Sequence, residues 1–272
     1  GGSARVSKDG DWSESYICNL IDWHLKEQED MPWLTGTAYW PFKDFSTPVR
    51  PDNPVPYMNQ KGVVARDFTK KESYYVFQSW WTGKPMAHIY GHSWPVRWGE
   101  KDEEKMVKVY SNCDEAELFL NGKSYGVKKV NRKDFPASGL RWILKFNEGE
   151  NKIRVVARKG KVNVEDKIAF TYQTKKWEKP SKLILEKVKE ENGVVTLQVK
   201  LLDKNNILCL DASNVVAFDL TGDGALIDNQ GTSGGSRKVQ AYNGRAIIRV
   251  KKKGRSVVSV CADGLPTTFV EL

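Results

Sequence analysis

Three side chains in this 272-residue sequence have the types and spacing to grip a polar ligand: the indole of Trp40, the amide of Asn59 and the ammonium of Lys61. Trp40 ends an apolar run, Leu34 to Tyr39. Asn59 and Lys61 stand two residues apart in Met58-Asn59-Gln60-Lys61-Gly62, after a stretch studded with Pro41, Pro48, Pro51, Pro54 and Pro56. An indole presents an apolar face with one N–H donor, and an ammonium makes a charge-assisted bond to an anion. The rival readings are a core tryptophan and a surface lysine. Other reactive types lack such a pattern. Glu14 follows Ser13 and no strand, and its distance from Asp11 fits a capping box. Glu148, after Asn147, precedes Gly149 in a turn. His88 and His92 fall on or beside an extended segment, where i and i+4 share a face about 13 Å apart, so no metal site is expected. The four cysteines (Cys18, Cys113, Cys209, Cys261) form no C-x-x-C pair, and zinc and haem signatures are absent. Separate thiols and a Cys209–Cys261 bridge both remain open.

The elements that must position these groups change character along the chain. Asp11 begins a helix on which Trp12, Tyr16, Leu20 and Trp23 recur at steps of four and three, with Ile17, Ile21 and Leu25 widening the apolar face. It ends before Pro32. Residues 34–40 form a strand with few charges, as expected where both faces are covered. A long loop follows, then a helix over residues 70–81. Helix, buried strand, loop and helix is the order in which a (β/α)8 barrel closes, and the strand's C-terminal end, at Trp40, is where barrels place substrate. From Met86 the apolar period becomes two. Strands are expected at Met86–Tyr90, Met106–Tyr110, Ala116–Leu120, Leu140–Phe146, Ile153–Ala157 and Ile168–Tyr172, with turns at Asn121-Gly122, Glu148-Gly149 and Lys159-Gly160. After a charged linker (Thr174–Ser181) the same grammar returns at Leu183–Val188, Val194–Leu202, Val215–Leu220, Ala246–Val250 and Val257–Ala262, with loops at Gly222, Gly224, Gly231, Gly234 and Gly235. The expectation is a multidomain, mainly β chain. Residues 1–84 are the end of a TIM (β/α)8 barrel, and residues 85–176 and 177–272 are two immunoglobulin-like β-sandwiches.

Composition separates the front from the back. Eight of ten tryptophans precede residue 99, as do all three histidines. The formal charge of +9 comes mainly from residues 85–181, with 20 basic and 13 acidic side chains. No nucleic-acid reader accompanies it, so a solvated sandwich surface is the reading, with a weak preference for acidic glycans through the same field. No apolar run approaches the ~20 residues of a membrane span. The opening Gly1-Gly2-Ser3-Ala4 reads as the start of a cut chain.

With these residues in place, the sequence resembles the C-terminal part of a glycoside hydrolase of family 2, the group of β-galactosidases, β-glucuronidases and β-mannosidases. The likeness is carried by Leu34-Thr-Gly-Thr-Ala-Tyr-Trp40-Pro-Phe-Lys-Asp44, by Met58-Asn59-Gln-Lys61-Gly62 and by Arg66-Asp67 with the helix bearing Lys70, Lys71, Tyr74 and Tyr75. Val109-Tyr-Ser-Asn112 and Glu117-Leu-Phe-Leu-Asn-Gly-Lys-Ser124 extend it, as do Leu220-Thr-Gly-Asp-Gly and Asn243-Gly-Arg-Ala.

The resemblance implies a retaining exo-β-glycosidase, either a β-galactosidase or a β-glucuronidase, with two glutamates about 5 Å apart. Both are expected upstream of this sequence, so the chain holds no catalytic residue and is inactive alone. By the same resemblance Trp40 lies under the sugar ring, Asn59 contacts sugar hydroxyls or a bound cation, and Lys61 completes the Asn-x-Lys arrangement that β-glucuronidases use for the substrate carboxylate. It further implies a carbohydrate substrate, a monovalent or divalent cation in the intact enzyme, a homo-oligomer, and a periplasmic or secreted location. The alternative is a non-catalytic glycan-binding or purely structural β-sandwich module.

Overall fold

The computed structural model describes residues 14–51, 53–227 and 236–272. The expected cap at Asp11, Trp12, and the loop glycines Gly231, Gly234 and Gly235 lie outside the described residues. In chain order the elements are α1 (Glu14–Gln28), β1 (Phe45–Ser46), β2 (Met58–Asn59), α2 (Glu72–Trp81), β3 (Ala87–Ile89), β4 (Val96–Trp98), β5 (Glu104–Ser111), β6 (Glu115–Leu120) and β7 (Lys123–Lys129). There follow β8 (Arg141–Lys145), β9 (Gly149–Lys159), β10 (Val162–Gln173), β11 (Lys182–Glu191), β12 (Val194–Leu202), β13 (Val215–Ile227), β14 (Lys238–Gln240), β15 (Arg245–Ala262) and β16 (Leu265–Glu271). No described helix is long and apolar enough to cross a membrane.

Packing gathers the chain into two compact units that do not follow the expected boundary at residue 84. One joins Glu14–Tyr39 to Lys70–Lys175, and the other joins Trp40–Thr69 to Lys176–Leu272. In the first unit, a five-stranded sheet of order β4-β10-β9-β6-β7 faces a three-stranded sheet of order β3-β5-β8. Strand β5 explains the layering by its period of two. Val107 and Val109 point into the core with Leu118, Trp142, Leu144, Ile153, Val155 and Phe170. Tyr110 points the other way and packs with Cys18, Ile21 and Leu25 of α1 and Val76 of α2. Lys108, on that same helix-facing side, donates to Asn19 Oδ1 at 2.9 Å. Buried Asp22 accepts from Ala137 N–H at 2.6 Å.

Two expectations fail here, for related reasons. Helix α1 buries Cys18, Ile21 and Leu25, whereas Tyr16, Leu20 and Trp23 are exposed. The periodicity located the helix correctly, but two apolar stripes compete for the inner face, and the one beside Lys108 and Tyr110 takes it. The segment Leu34–Tyr39 is irregular, and Leu34 and Trp33 are exposed. A parallel barrel strand needs ladder partners on both sides and helices over both faces. Among the described residues no strand pairs with this segment.

The second unit is built on an antiparallel sheet of order β11-β12-β15-β13-β14, with β16 also pairing β15. Its core collects Leu183, Val195, Leu197, Val199, Val216, Phe218, Ile248, Val250, Val258 and Val260. The two expected strands at Ala246–Val250 and Val257–Ala262 are one continuous strand, β15. The intervening Lys251-Lys252-Lys253-Gly254 stays in the strand because β13 runs alongside and pairs Gly224 with Lys252 and Gly222 with Ser256. The Cys209–Cys261 bridge is absent: Cys209 is buried, Cys261 is exposed, and both are free thiols.

Candidate functional site

The three residues singled out by sequence fall in the second unit, on one small supersecondary structure. Strand β1 pairs antiparallel with β2 so that Phe45 opposes Asn59 and Ser46 opposes Met58. Trp40 packs against Phe45 in a T-shaped arrangement, with ring centroids 5.3 Å apart, and is 68% exposed, so most of its indole is open. Asn59 is only 7% exposed. Its Oδ1 accepts Lys61 N–H at 3.0 Å, an Asx-type turn that folds the Asn-x-Lys segment back on itself. Lys61 is half-buried.

Sequence reasoning quoted Asp44 and Gly62 as motif letters without a role, and the structure supplies one. Asp44 is buried, and its Oδ1 accepts Gly62 N–H at 2.9 Å. Asp44 N–H donates to Val64 carbonyl at 3.0 Å, and Val63 and Val64 N–H both reach Phe42 carbonyl. Segments 42–46 and 58–64 are therefore zipped together just where Lys61 leaves the turn. A Cβ on Gly62 would lie 2.6 Å from the Lys43 carbonyl carbon and 2.7 Å from Asp44 Oδ1, so only glycine permits this approach. The hairpin is anchored below: Val55 and Met58 enter the sandwich core, and Gln240 N–H donates to Pro54 carbonyl at 2.7 Å. Beside it a cavity of about 610 Å³ is lined by Ser46, Pro48, Tyr57, Arg66, Arg237 and Lys238, among others.

The first unit holds a second constellation, which sequence reading missed. Glu72, in the first turn of α2, is buried; its Oε2 pairs with His88 Nε2 at 2.9 Å, and its Oε1 accepts His92 N–H at 3.1 Å. Asp166 of β10 accepts Ile89 N–H at 2.6 Å and pairs with His92 Nε2 at 2.7 Å, both through Oδ2. Tyr75 stacks on His88 at 3.6 Å, and His88 on His92 at 4.6 Å. The hydrogen bond that His92 donates to Asp166 raises the His92 pKa above its ordinary value against the opposing effect of burial. Burial pushes Asp166 up, but bonds from His92 and Ile89 N–H outweigh it and hold the carboxyl below the usual range. The expected 13 Å separation of the histidines does not occur. Strand β3 ends at Ile89, and Gly91, at φ +101°, turns the chain back so that His92 returns over His88. A glycine two residues after a short strand was the available signal. The group lines a cavity of about 260 Å³ with Glu14, Lys70, Lys71 and Ser93.

The two glutamates weighed from sequence lie in different settings. Glu14 lies buried in the first turn of α1, where it accepts Glu72 N–H and the Ser93 hydroxyl, each at 3.4 Å. Glu148 is exposed in the turn before β9.

The comparison with known proteins is decisive for family. The chain superposes on the crystal structure of Parabacteroides merdae β-glucuronidase with a TM-score of 0.95 and 64% identity, covering 98% of this chain and 34% of that one. The chain belongs to glycoside hydrolase family 2. It corresponds to the C-terminal portion of such an enzyme. The apo structure of Bacteroides uniformis β-glucuronidase 3 gives a TM-score of 0.94 and 56% identity over 97% of this chain and 34% of that one. A β-galactosidase of Bacteroides ovatus is 31% identical over 270 residues, 93% of this chain and 30% of its own length. A protein of Formosa agariphila is 44% identical over 255 residues, 93% of this chain and 31% of that protein. Residues 102–164 also match the model of a domain of unknown function (DUF4982). The chain thus spans about a third of the length of the family 2 relatives it matches.

Proposed function

We propose that the intact protein is a retaining exo-β-glycosidase acting on β-glucuronides or β-galactosides, and that this chain contributes one wall of its sugar pocket together with accessory β-structure. The observation that carries the reading is the Asn59–Lys61 turn, locked by Asp44 and Gly62 beside an open indole. In this reading Trp40 covers the apolar C–H face of the sugar. Lys61 makes a charge-assisted contact with the substrate's carboxylate. Asn59 acts chiefly by shaping the turn that aims Lys61, because its amide oxygen already accepts Lys61 N–H. The two relatives of 64% and 56% identity are both β-glucuronidases, which favours the acidic sugar. The nearby cavity, with Arg66, Arg237 and Lys238 on its wall, suits an acidic glycan on the leaving-group side.

The catalytic glutamates belong upstream in this reading, and a direct assay tests it. Aryl β-glucuronide and β-galactoside are offered to this chain and to the full-length enzyme that contains it. Turnover by the full-length enzyme alone is expected. Turnover by the chain itself, abolished by Glu14→Gln or Glu148→Gln, would place the catalytic carboxylates here and overturn the reading.

A further inference from the structure

We propose that His88, His92 and Asp166 form a binding site for a divalent transition-metal ion of the kind that accepts imidazole ligands, such as Zn²⁺ or Ni²⁺. One ligand atom from each residue lies within 4.8 Å of the others. The donor set of two imidazoles and one carboxylate matches sites for such ions that keep a fourth position open.

The hydrogen bonding around His88 points the same way. Its Nε2 faces Glu72 Oε2 at 2.9 Å. Its other ring nitrogen, Nδ1, faces Asp166 Oδ2 at 3.9 Å, beyond hydrogen-bond length, so that nitrogen and the carboxylate oxygen point at each other across a gap wide enough to take an ion. A carboxylate on the far ring nitrogen of a ligating histidine is also the usual outer-shell partner of a metal site, fixing the tautomer and the ring orientation. Tyr75, stacked on His88, holds that ring further, and Ile89 N–H holds Asp166.

The remaining ligand is the adjustable one. Metal–ligand bonds of about 2.0–2.1 Å place tetrahedral donors roughly 3.4 Å apart. His92 Nε2 sits closer than that to Asp166 Oδ2, at 2.7 Å, and its ring lies nearly parallel to His88. Metal entry therefore displaces the His92–Asp166 hydrogen bond, releases the proton it used, and tilts the His92 ring. His92, at 39% side-chain exposure, has room to tilt, whereas His88, at 6%, does not. The cavity of about 260 Å³ in front of the group leaves space for water or a small ligand in the fourth position. The ion would tie the turn after β3 to strand β10.

The test is isothermal titration of the metal-stripped chain with ZnCl₂ and NiCl₂, with thermal melts in parallel. One site per chain is expected, with a higher melting temperature in the presence of metal. His92→Ala and Asp166→Asn should each weaken binding by at least about tenfold, and Glu72→Gln, in the outer shell, by about 10- to 100-fold. His24→Ala, which alters the remaining histidine, should leave binding unchanged. Far-UV circular dichroism checks that each variant folds; His92→Ala, at the exposed ligand, keeps the test available where Glu72→Gln does not fold. Absence of binding at millimolar metal overturns the proposal. So does binding that survives both His92→Ala and Asp166→Asn, because it would place the ion elsewhere, for example on the exposed Cys261 thiol.

Discussion

At the scale of single residues, the candidate sugar site separates contact from positioning. Trp40 is mostly exposed and meets Phe45 in a single T-shaped contact. Trp40→Ala should therefore leave the chain's unfolding free energy within about 0.5 kcal/mol, as for surface changes generally. In the full-length enzyme the same change should lower kcat/KM by about tenfold, the equivalent of roughly 1.4 kcal/mol of lost ring contact. Urea melts and steady-state kinetics on one variant separate the two effects, and a large loss of stability would mark Trp40 as a core residue instead. Asp44 behaves oppositely. It is buried and holds Gly62 N–H, so Asp44→Ala leaves an unpaired backbone donor and should cost about 1–3 kcal/mol of stability. An Asp44→Ala chain as stable as the parent in urea would show that the zipped hairpin does not depend on this carboxylate.

At the scale of elements, legibility followed the strength of the local pattern. The alternating strands β5, β6, β9, β10, β11 and β12 were all readable, because one face of each is buried in a sandwich and period two is the direct consequence. Strands β4, β7 and β14 were not. Strand β7 (Lys123–Lys129) is exposed along its whole length, with only Tyr125 and Val127 as large apolar residues, while β4 and β14 are three residues long and owe their existence to partners distant in sequence. The break expected inside β15 was a charge run on a solvated stretch of strand. The buried strand expected at Leu34–Tyr39 had the right composition, but composition cannot supply ladder partners. Helix α1 was legible as a helix, while the choice between its two apolar stripes was made by Lys108 and Tyr110 on β5, about ninety residues away. An element-scale prediction follows for the second unit. Leu197 of β12 is fully buried among Val199, Val216 and Ile248, so Leu197→Ala should cost about 2–5 kcal/mol in urea unfolding. A cost under about 1 kcal/mol would mean that this core is not the one described.

At the scale of the whole molecule, the boundary at residue 84 was the least legible feature, because motif order along the chain carries no information on which sandwich a loop packs against. Trp40–Thr69 belongs with Lys176–Leu272, so the last sandwich braces the hairpin that carries Asn59 and Lys61. Residue types and spacing singled out Trp40, Asn59 and Lys61, which the structure gathers on one small supersecondary structure, while the His88–His92–Asp166 group, assembled by a turn and a distant strand, was not readable. In this account the last sandwich serves the pocket by holding the turn that aims Lys61. The measurement that tests that claim most directly is the ratio of kcat/KM for aryl β-glucuronide to that for aryl β-galactoside in the full-length enzyme, before and after Lys61→Ala. Loss of a charge-assisted contact of about 1.5–3 kcal/mol predicts that glucuronide turnover falls by roughly 10- to 150-fold. Galactoside turnover should change little. An unchanged ratio would contradict the account and leave Lys61 a surface lysine.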